Sequence, residues 1–286
     1  MAAFGFLEAY IVNGTELADP RFTIQGVRDV TPELRGDNLV PAMDHGGRWR
    51  RKRLGGRSEE WTLWVTDAKG DGSYYADEYA KRVQFNTNLD DLLGLLYTNH
   101  AATGYDAPLQ VVRRIKETPA SPASTYRVNY GETEGRMSIP SHAEFNQTSF
   151  PVTIIYTDAR WYECNSSGDK TTSTLTASGN PGGTAITTRM TITLSNASGG
   201  GITNPWIKNT TTGSKLKFNG TLANGTSIVF DTTDFTATNN SVAATGSVDR
   251  TGSSTIDWFE LRPGVSNVLT KKTGVTFSVA YTKAYI

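Results

Sequence analysis

The sequence predicts a mainly β protein in two parts: an N-terminal β-rich domain with one helical region packed on a sheet, and a C-terminal β-sandwich. Three observations lead there. Short runs rich in β-branched and aromatic residues, bounded by Gly, Pro and Asp, recur along the whole chain. One stretch, residues 74–99, instead repeats apolar residues at three- and four-residue spacing. Beyond Arg160 the composition changes, with Ser, Thr, Gly and Asn supplying 64 of the last 126 residues.

A chain of 286 residues is long enough for two domains that each bury a core. We place them at residues 1–163 and 164–286. A hydrophobic content of 37% with 20% charged residues describes a globular chain. The 28 basic and 28 acidic residues balance, so no global field draws the chain to nucleic acid or to an anionic membrane. Neither is expected as a specific partner. Cys164 is the only cysteine, which excludes an intrachain disulfide and a cysteine-based zinc cluster. The opening "MAAFGFLEAYIVNG" has no basic n-region, and no apolar run approaches the roughly 20 residues that span a bilayer. A soluble product made in the cytoplasm is expected.

Strands are expected at "RFTIQGVRDV", "EEWTLWVTD", "PLQVVRRIK", "TYRVNY" and "SFPVTIIYTDARWY". Between the second and third lies the helical region, where Tyr75, Tyr79 and Val83 share one spacing and Leu89, Leu92, Leu93 and Leu96 another. Asn88 suits an N-cap, with Asp90 and Asp91 at the positive end of the dipole, so two helices or one kinked helix are expected. In the second domain "AITTRMTITLSN" alternates apolar residues with threonine, and three short strands follow at Trp206–Ile207, Leu216–Phe218 and Ile228–Phe230. Turn signals about every 8 to 12 residues point to a sandwich, with Asn219-Gly220 and Asn224-Gly225 as hairpin turns. Near the end, Trp258, Phe259 and Leu261 are expected to finish a core strand, Pro263-Gly264 to turn, and Val268 to open its neighbour. "GVTFSVAYTKAYI" alternates as a closing strand.

Catalytic residues are not found. His45, His100 and His142 lie far apart with no ligand companion at zinc spacing. No nucleophile elbow, phosphate loop or dinucleotide fingerprint is present. "DAKGDGSYYADE" places Asp67, Asp71, Gly72 and Glu78 as in a calcium loop, but Lys69 stands where an oxygen ligand is required, so a polar loop is expected. A glycosidase needs two carboxyls facing each other across a cleft. Adjacent strand residues point to opposite faces, so Glu59-Glu60 is read as a solvated strand edge and Asp90-Asp91 as a helix start. We expect no enzyme, no cofactor and no metal.

"RWRRKR" concentrates five positive charges in Arg48, Arg50, Arg51, Lys52 and Arg53. Three readings stay open: phosphate contact, a solvated edge strand that discourages aggregation, or a partner's acidic rim. Trp206, Trp258 and Phe235 can stack on a sugar ring or fill the core. The Asn-x-Ser/Thr triplets are read as turns.

Several stretches, in order, resemble a known family. They are "FTIQGVRDVTPELRGDNLVPAMDHGGRWRRKRLGGRSEEWTLWVTD", "YAKRVQFNTNLDDLLGLLYT" and "FPVTIIYTDARWYE", then "NPGGTAITTRMTITL", "ITNPWIKNTTTGSKLKFNGTLANGTSIVFDTT" and "WFELRPGVSNVL". Together they resemble the distal tail proteins of long-tailed bacteriophages with non-contractile tails. The most specific matches are Asn204, Pro205, Ile207, Asn209, Thr211, Thr212 and Gly213, then Leu261, Pro263, Gly264 and Asn267. Val265 and Ser266 make the last motif one residue longer than the family's form. The resemblance implies that the sandwich is galectin-like and that the N-terminal domain builds a homo-hexameric ring at the tail tip of the virion. It further implies contacts to the tail tube protein, the tape measure protein and tail-associated adhesion or lysin proteins, with the genome passing through the ring. Closed cyclic symmetry needs a head-to-tail interface. The strands, helix and basic run of the first domain are expected to supply it.

Overall fold

Along Arg57–Val65 every second residue is buried, so Arg57, Glu59, Trp61, Leu63 and Val65 share one inner face. A computed structural model of the protein describes residues 8–30, 34–35, 38–39, 48–49, 53–54, 56–102, 108–116, 124–134, 146–156, 158–251, 253 and 258–286. The backbone alone is described at 8, 29–30, 34–54, 98–102 and 116 within these. The chain divides into two compact units, Met1–Asp169 and Lys170–Ile286. The divide follows Asp169 rather than Glu163 because Trp161–Cys164 pairs with the first sheet, Cys164 opposite Tyr126.

The first unit is built on one large antiparallel sheet and a helix, with two short ladders between Leu34 and Leu54. Its strands are β1 (Glu8–Val12), β2 (Phe22–Val30), β3 (Arg57–Val65), β4 (Leu109–Lys116), β5 (Ser124–Thr133), β6 (Thr148–Tyr156) and β7 (Trp161–Cys164). Their order is β1-β4-β5-β6-β3-β2, with β7 also on β5. Residues 15–19 then join the two outer strands: Thr15–Glu16 pairs with β1 and Ala18–Asp19 with β2. Between them the Leu17 N–H donates to Tyr10 O at 2.8 Å, and the Ile24 N–H donates to Leu17 O at 3.2 Å. The sheet therefore closes on itself through one short segment, which leaves fewer unpaired edge groups than an open sheet would. Gly131 is required where β5 leaves β6 for β7, since a Cβ there would sit 2.7 Å from Ile155 O.

A single helix, α1 (Glu78–Ala102), replaces the expected pair or kink. Asn88 is not its N-cap but lies mid-helix and fully buried, donating through Nδ2 to Thr66 O and Ala68 O, both at 2.7 Å. Those two carbonyls satisfy the amide from the loop after β3, so the helix runs through it without interruption. The cap is Asp77, whose Oδ2 accepts from the Ala80 N–H at 2.9 Å. Phe85, Leu92 and Leu96 form the buried stripe. Tyr79 and Val83 share a face of α1 as their spacing predicts, but that face is exposed, and Tyr75 precedes the helix and is exposed as well.

The second unit is a sandwich of two main antiparallel sheets, with a short separate ladder between Ile202–Thr203 and Thr221–Leu222. Its strands are β8 (Ser173–Leu175), β9 (Met190–Asn196), β10 (Trp206–Asn209), β11 (Ser214–Phe218), β12 (Ser227–Asp231), β13 (Thr236–Asn239), β14 (Val248–Asp249), β15 (Leu269–Lys271) and β16 (Val275–Tyr281). One sheet runs β8-β16-β9-β12-β13 and ends on Val242–Ala243; the other runs β14-β11-β10-β15. Ile192, Leu194, Phe230 and Val279 from the first meet Ile207, Leu216 and Phe218 from the second in one core. Each strand gives one face to that core, and threonines fill the other face of β9. This accounts for much of the polar composition.

The stretch before Asn267 is not the expected strand. Phe259 and Leu261 are buried, but among the described residues of this stretch only an isolated bridge from Leu261 to Thr187 is present. Asn267 occupies the local backbone instead, accepting from the Arg262 N–H at 2.9 Å and donating to Arg262 O at 2.8 Å. Strand pairing resumes at Leu269.

Between β6 and β7, Asp158 accepts from Arg160 Nε at 2.9 Å and from the Tyr162 hydroxyl at 2.6 Å. Burial pushes its carboxyl up, but the Arg160 and Tyr162 contacts outweigh that and hold it below the usual aspartate range. A lowered folded pKa contributes stability above the unfolded value, near pH 4, that is lost as pH falls through the folded value. Asp158→Asn is therefore expected to flatten the fall of Tm between about pH 4 and pH 2, read by calorimetry at stepped pH.

Candidate functional site

The two described ends of the basic run, Arg48 and Arg53, lie in short ladders on the connection from β2 to β3. Arg53–Leu54 pairs with Leu34–Arg35, and Arg48–Trp49 with Asn38–Leu39, all antiparallel. Arg48 and Arg53 are placed by backbone only, and Arg50, Arg51 and Lys52 lie outside the described residues. His45 and His142 also lie outside them. Among the described residues no group of three His, Cys, Asp or Glu side chains could hold a metal ion. No helix among them is long and apolar enough to cross a membrane. In the loop that resembles a calcium site, Lys69 Nζ lies 3.9 Å over the Tyr75 ring and Asp71 accepts from the Ser73 N–H at 2.9 Å. The loop is organised by its own side chains.

Within the sandwich, the two most specific motifs meet. Asn209 ends β10 and donates through Nδ2 to Asn267 Oδ1 at 2.8 Å and to Glu260 O at 2.7 Å. Its own Oδ1 accepts from the Thr211 N–H at 3.0 Å. Asn267 in turn exchanges backbone hydrogen bonds with Gly179. Both amides are fully buried. Gly213 and Gly264 take positive φ, 79° and 71°, at the turns that bring the two stretches round. Asn196 plays a similar part at the end of β9, donating to Gly200 O and Leu222 O, both at 2.7 Å.

Of the three aromatic residues, the structure brings two together. Phe235 sits in the turn from β12 to β13 at φ 55° and is 51% exposed, its ring 5.7 Å from the half-buried Trp258 in an edge-on contact. Trp206 is half-buried on the other sheet, with Lys215 Nζ 6.0 Å over its ring.

One polar cluster escaped the sequence reading. Glu60 is exposed, but Glu59 is fully buried inside the first unit. It accepts from Trp61 Nε1 and from the Tyr156 hydroxyl, both at 3.0 Å, with Arg57 Nε 3.9 Å away. Burial pushes the Tyr156 hydroxyl well up, and the Glu59 charge adds to that. The alternation of Arg57, Glu59 and Trp61 was the available signal, because a period of two that ends in Trp, Leu and Val puts its first members on the same inner face.

Residues 182–285 match the family model described as siphovirus-type tail component, C-terminal domain. The matched stretch lies wholly within the C-terminal unit. Both motifs that meet at Asn209 and Asn267 lie inside the matched region. Over the full length, the chain is similar in fold to the Dit protein of phage SPP1, whose structure is described as a paradigm of hub adsorption apparatus in phages that infect Gram-positive bacteria. That likeness has a TM-score of 0.55 at 18% identity and covers 98% of this chain and 99% of the other. A weaker likeness, with a TM-score of 0.37 at 10% identity, is to a chain of the phage P2 baseplate in its activated conformation with calcium, covering 96% and 97%. No curated protein matches the chain in sequence.

Asn209→Ala removes a buried donor and acceptor and leaves Asn267 short of a partner, so it is expected to cost roughly 1–3 kcal/mol. Equilibrium denaturation of the full chain, followed by tryptophan fluorescence, checks this. Thr210→Ala on the exposed side of the same turn is the control expected to stay within about 0.5 kcal/mol.

Proposed function

We propose that the protein is a structural hub of a phage tail tip, acting by assembly rather than catalysis. The observation that carries the reading is the match of residues 182–285 to the siphovirus-type tail component domain, on a chain whose whole length follows the SPP1 Dit fold. On this reading the first unit closes into a homo-hexameric ring, with the basic run Arg48–Arg53 at an inter-subunit contact. The ring joins the tail tube and tape measure proteins on one side to adhesion or lysin proteins on the other, and the genome passes through it. The protein is made in the host cytoplasm and resides in the virion.

A second reading gives the sandwich a carbohydrate-binding role. Phe235 favours it, since a large aromatic ring held exposed at positive φ against Trp258 is a stacking surface. Trp206 lies on the other sheet, on β10.

Negative-stain microscopy of the purified chain, with its solution mass measured on the same sample, tests the hub reading. Six-fold rings are expected, and a chain that stays monomeric at all concentrations overturns it. Glycan-array binding by the full chain that is lost in Phe235→Ala would favour the second reading.

A further inference from the structure

The outer face of the sheet β14-β11-β10-β15 is basic. Along β10 and β11 buried residues alternate with half-buried ones, which turns Trp206, Lys208, Lys215 and Lys217 to the same outward side. The register sets Lys208 directly opposite Lys215, with Thr270 on its other side, and Trp206 opposite Lys217. Lys272 is exposed at the end of β15, where its N–H donates to Trp206 O at 3.0 Å. Lys271 beside it donates to Val275 O. Like charges directly opposite each other on neighbouring strands destabilise a sheet, so the Lys208 and Lys215 pair costs the fold stability, as functional surfaces commonly do. The unit supplies little to neutralise it. Of its five acidic residues, Asp249 pairs with Lys217 at 2.7 Å, and Asp231 and Asp234 belong to the β12–β13 hairpin of the other sheet. Glu260 is buried and Asp257 lies outside the described residues.

The residue types indicate the partner. The five cations of β10, β11 and the end of β15 are all lysine, which protein interfaces deplete while they enrich arginine. Lysine is a compact point charge that holds a phosphate without the planar, two-point geometry by which arginine grips a carboxylate. Nucleic acid fits less well. Trp206 is half-buried with Lys215 Nζ 6.0 Å over its ring, and Phe235, the one exposed aromatic ring among the described residues of the unit, lies on the other sheet. Successive bases need several open rings on which to stack.

We propose that this face binds a linear polymer of phosphodiester-linked polyol or sugar units that carries no bases, its phosphates held by Lys208, Lys215 and Lys272 around Trp206. Neighbouring strands lie about 5 Å apart and successive outward residues of one strand about 7 Å apart, so the three ammonium groups are within reach of one flexible chain. The site goes beyond the hub reading and does not depend on ring formation.

Fluorescent poly(glycerol phosphate) is titrated with the full chain across a salt series, and its anisotropy is read beside that of oligothymidylate and polyglutamate of equal charge. Binding is expected to be tightest for poly(glycerol phosphate) and to weaken as salt rises, since each phosphate contact releases counterions. Lys208→Ser with Lys215→Ser is expected to weaken it about tenfold or more at low salt and to flatten its salt dependence. The same double variant is expected to keep or raise Tm, because it removes a like-charge pair. Lys272→Ser, at an exposed strand end, repeats the test without touching that pair and is expected to weaken binding in the same direction. Polyglutamate bound as tightly overturns the proposal in favour of an acidic protein, and oligothymidylate bound as tightly overturns it in favour of nucleic acid. An affinity unchanged in both variants, or no binding at low salt, also overturns it. Rings of the unsubstituted chain would leave the hub reading standing in each of these cases.

Discussion

Asn209 and Asn267 share a hydrogen bond of 2.8 Å where water does not reach, and the sandwich is arranged around the need to satisfy both amides. A buried amide left short of partners costs more than a good hydrogen bond gains, so such a pair tolerates little displacement of the backbone around it. Asn209 ties the end of β10 to Glu260 O, and Asn267 ties the Arg262–Val265 turn to itself. The two glycines at positive φ permit the turns that bring these residues together. The irregular stretch from Trp258 to Val268 is thereby held as firmly as a strand without being one.

The first unit meets the same demand with charge. Glu59 sits fully buried beside Arg57, Trp61 and Tyr156, and two of those side chains donate to it. A buried ion pair contributes less to stability than its distances suggest, because both charges leave water, but breaking it from one side is costly. β3 and β6 are neighbours in full register from Thr148 opposite Val65 to Tyr156 opposite Arg57. A slip of one residue would turn Glu59 outward and Glu60 inward, away from the Tyr156 hydroxyl. The cluster therefore acts against mispairing of the two central strands.

Outside these polar nodes the two units differ in ways that bear on assembly. The first is acidic apart from one cationic segment and keeps an exposed tyrosine stripe. The second carries 10 basic and 5 acidic residues between Lys170 and Ile286, on strands whose outer faces are rich in threonine.

By itself the sequence determined the mainly β class, the strands at Arg57–Val65, Met190–Asn196 and Val275–Tyr281, and the single helical region, because a period of two or of 3.6 is a local property of the chain. It also carried the two motifs that meet at Asn209 and Asn267. Tertiary structure alone decided which face of a periodic segment is inward. Tyr79 and Val83 keep their helical spacing but face solvent, Glu59 is buried while Glu60 is not, and Asn88 serves the loop after β3 instead of capping a helix. The physical reason is common to all three. Spacing states which residues share a side, whereas burial depends on which distant carbonyl, hydroxyl or sheet that side meets, and those partners lie many residues away in the chain.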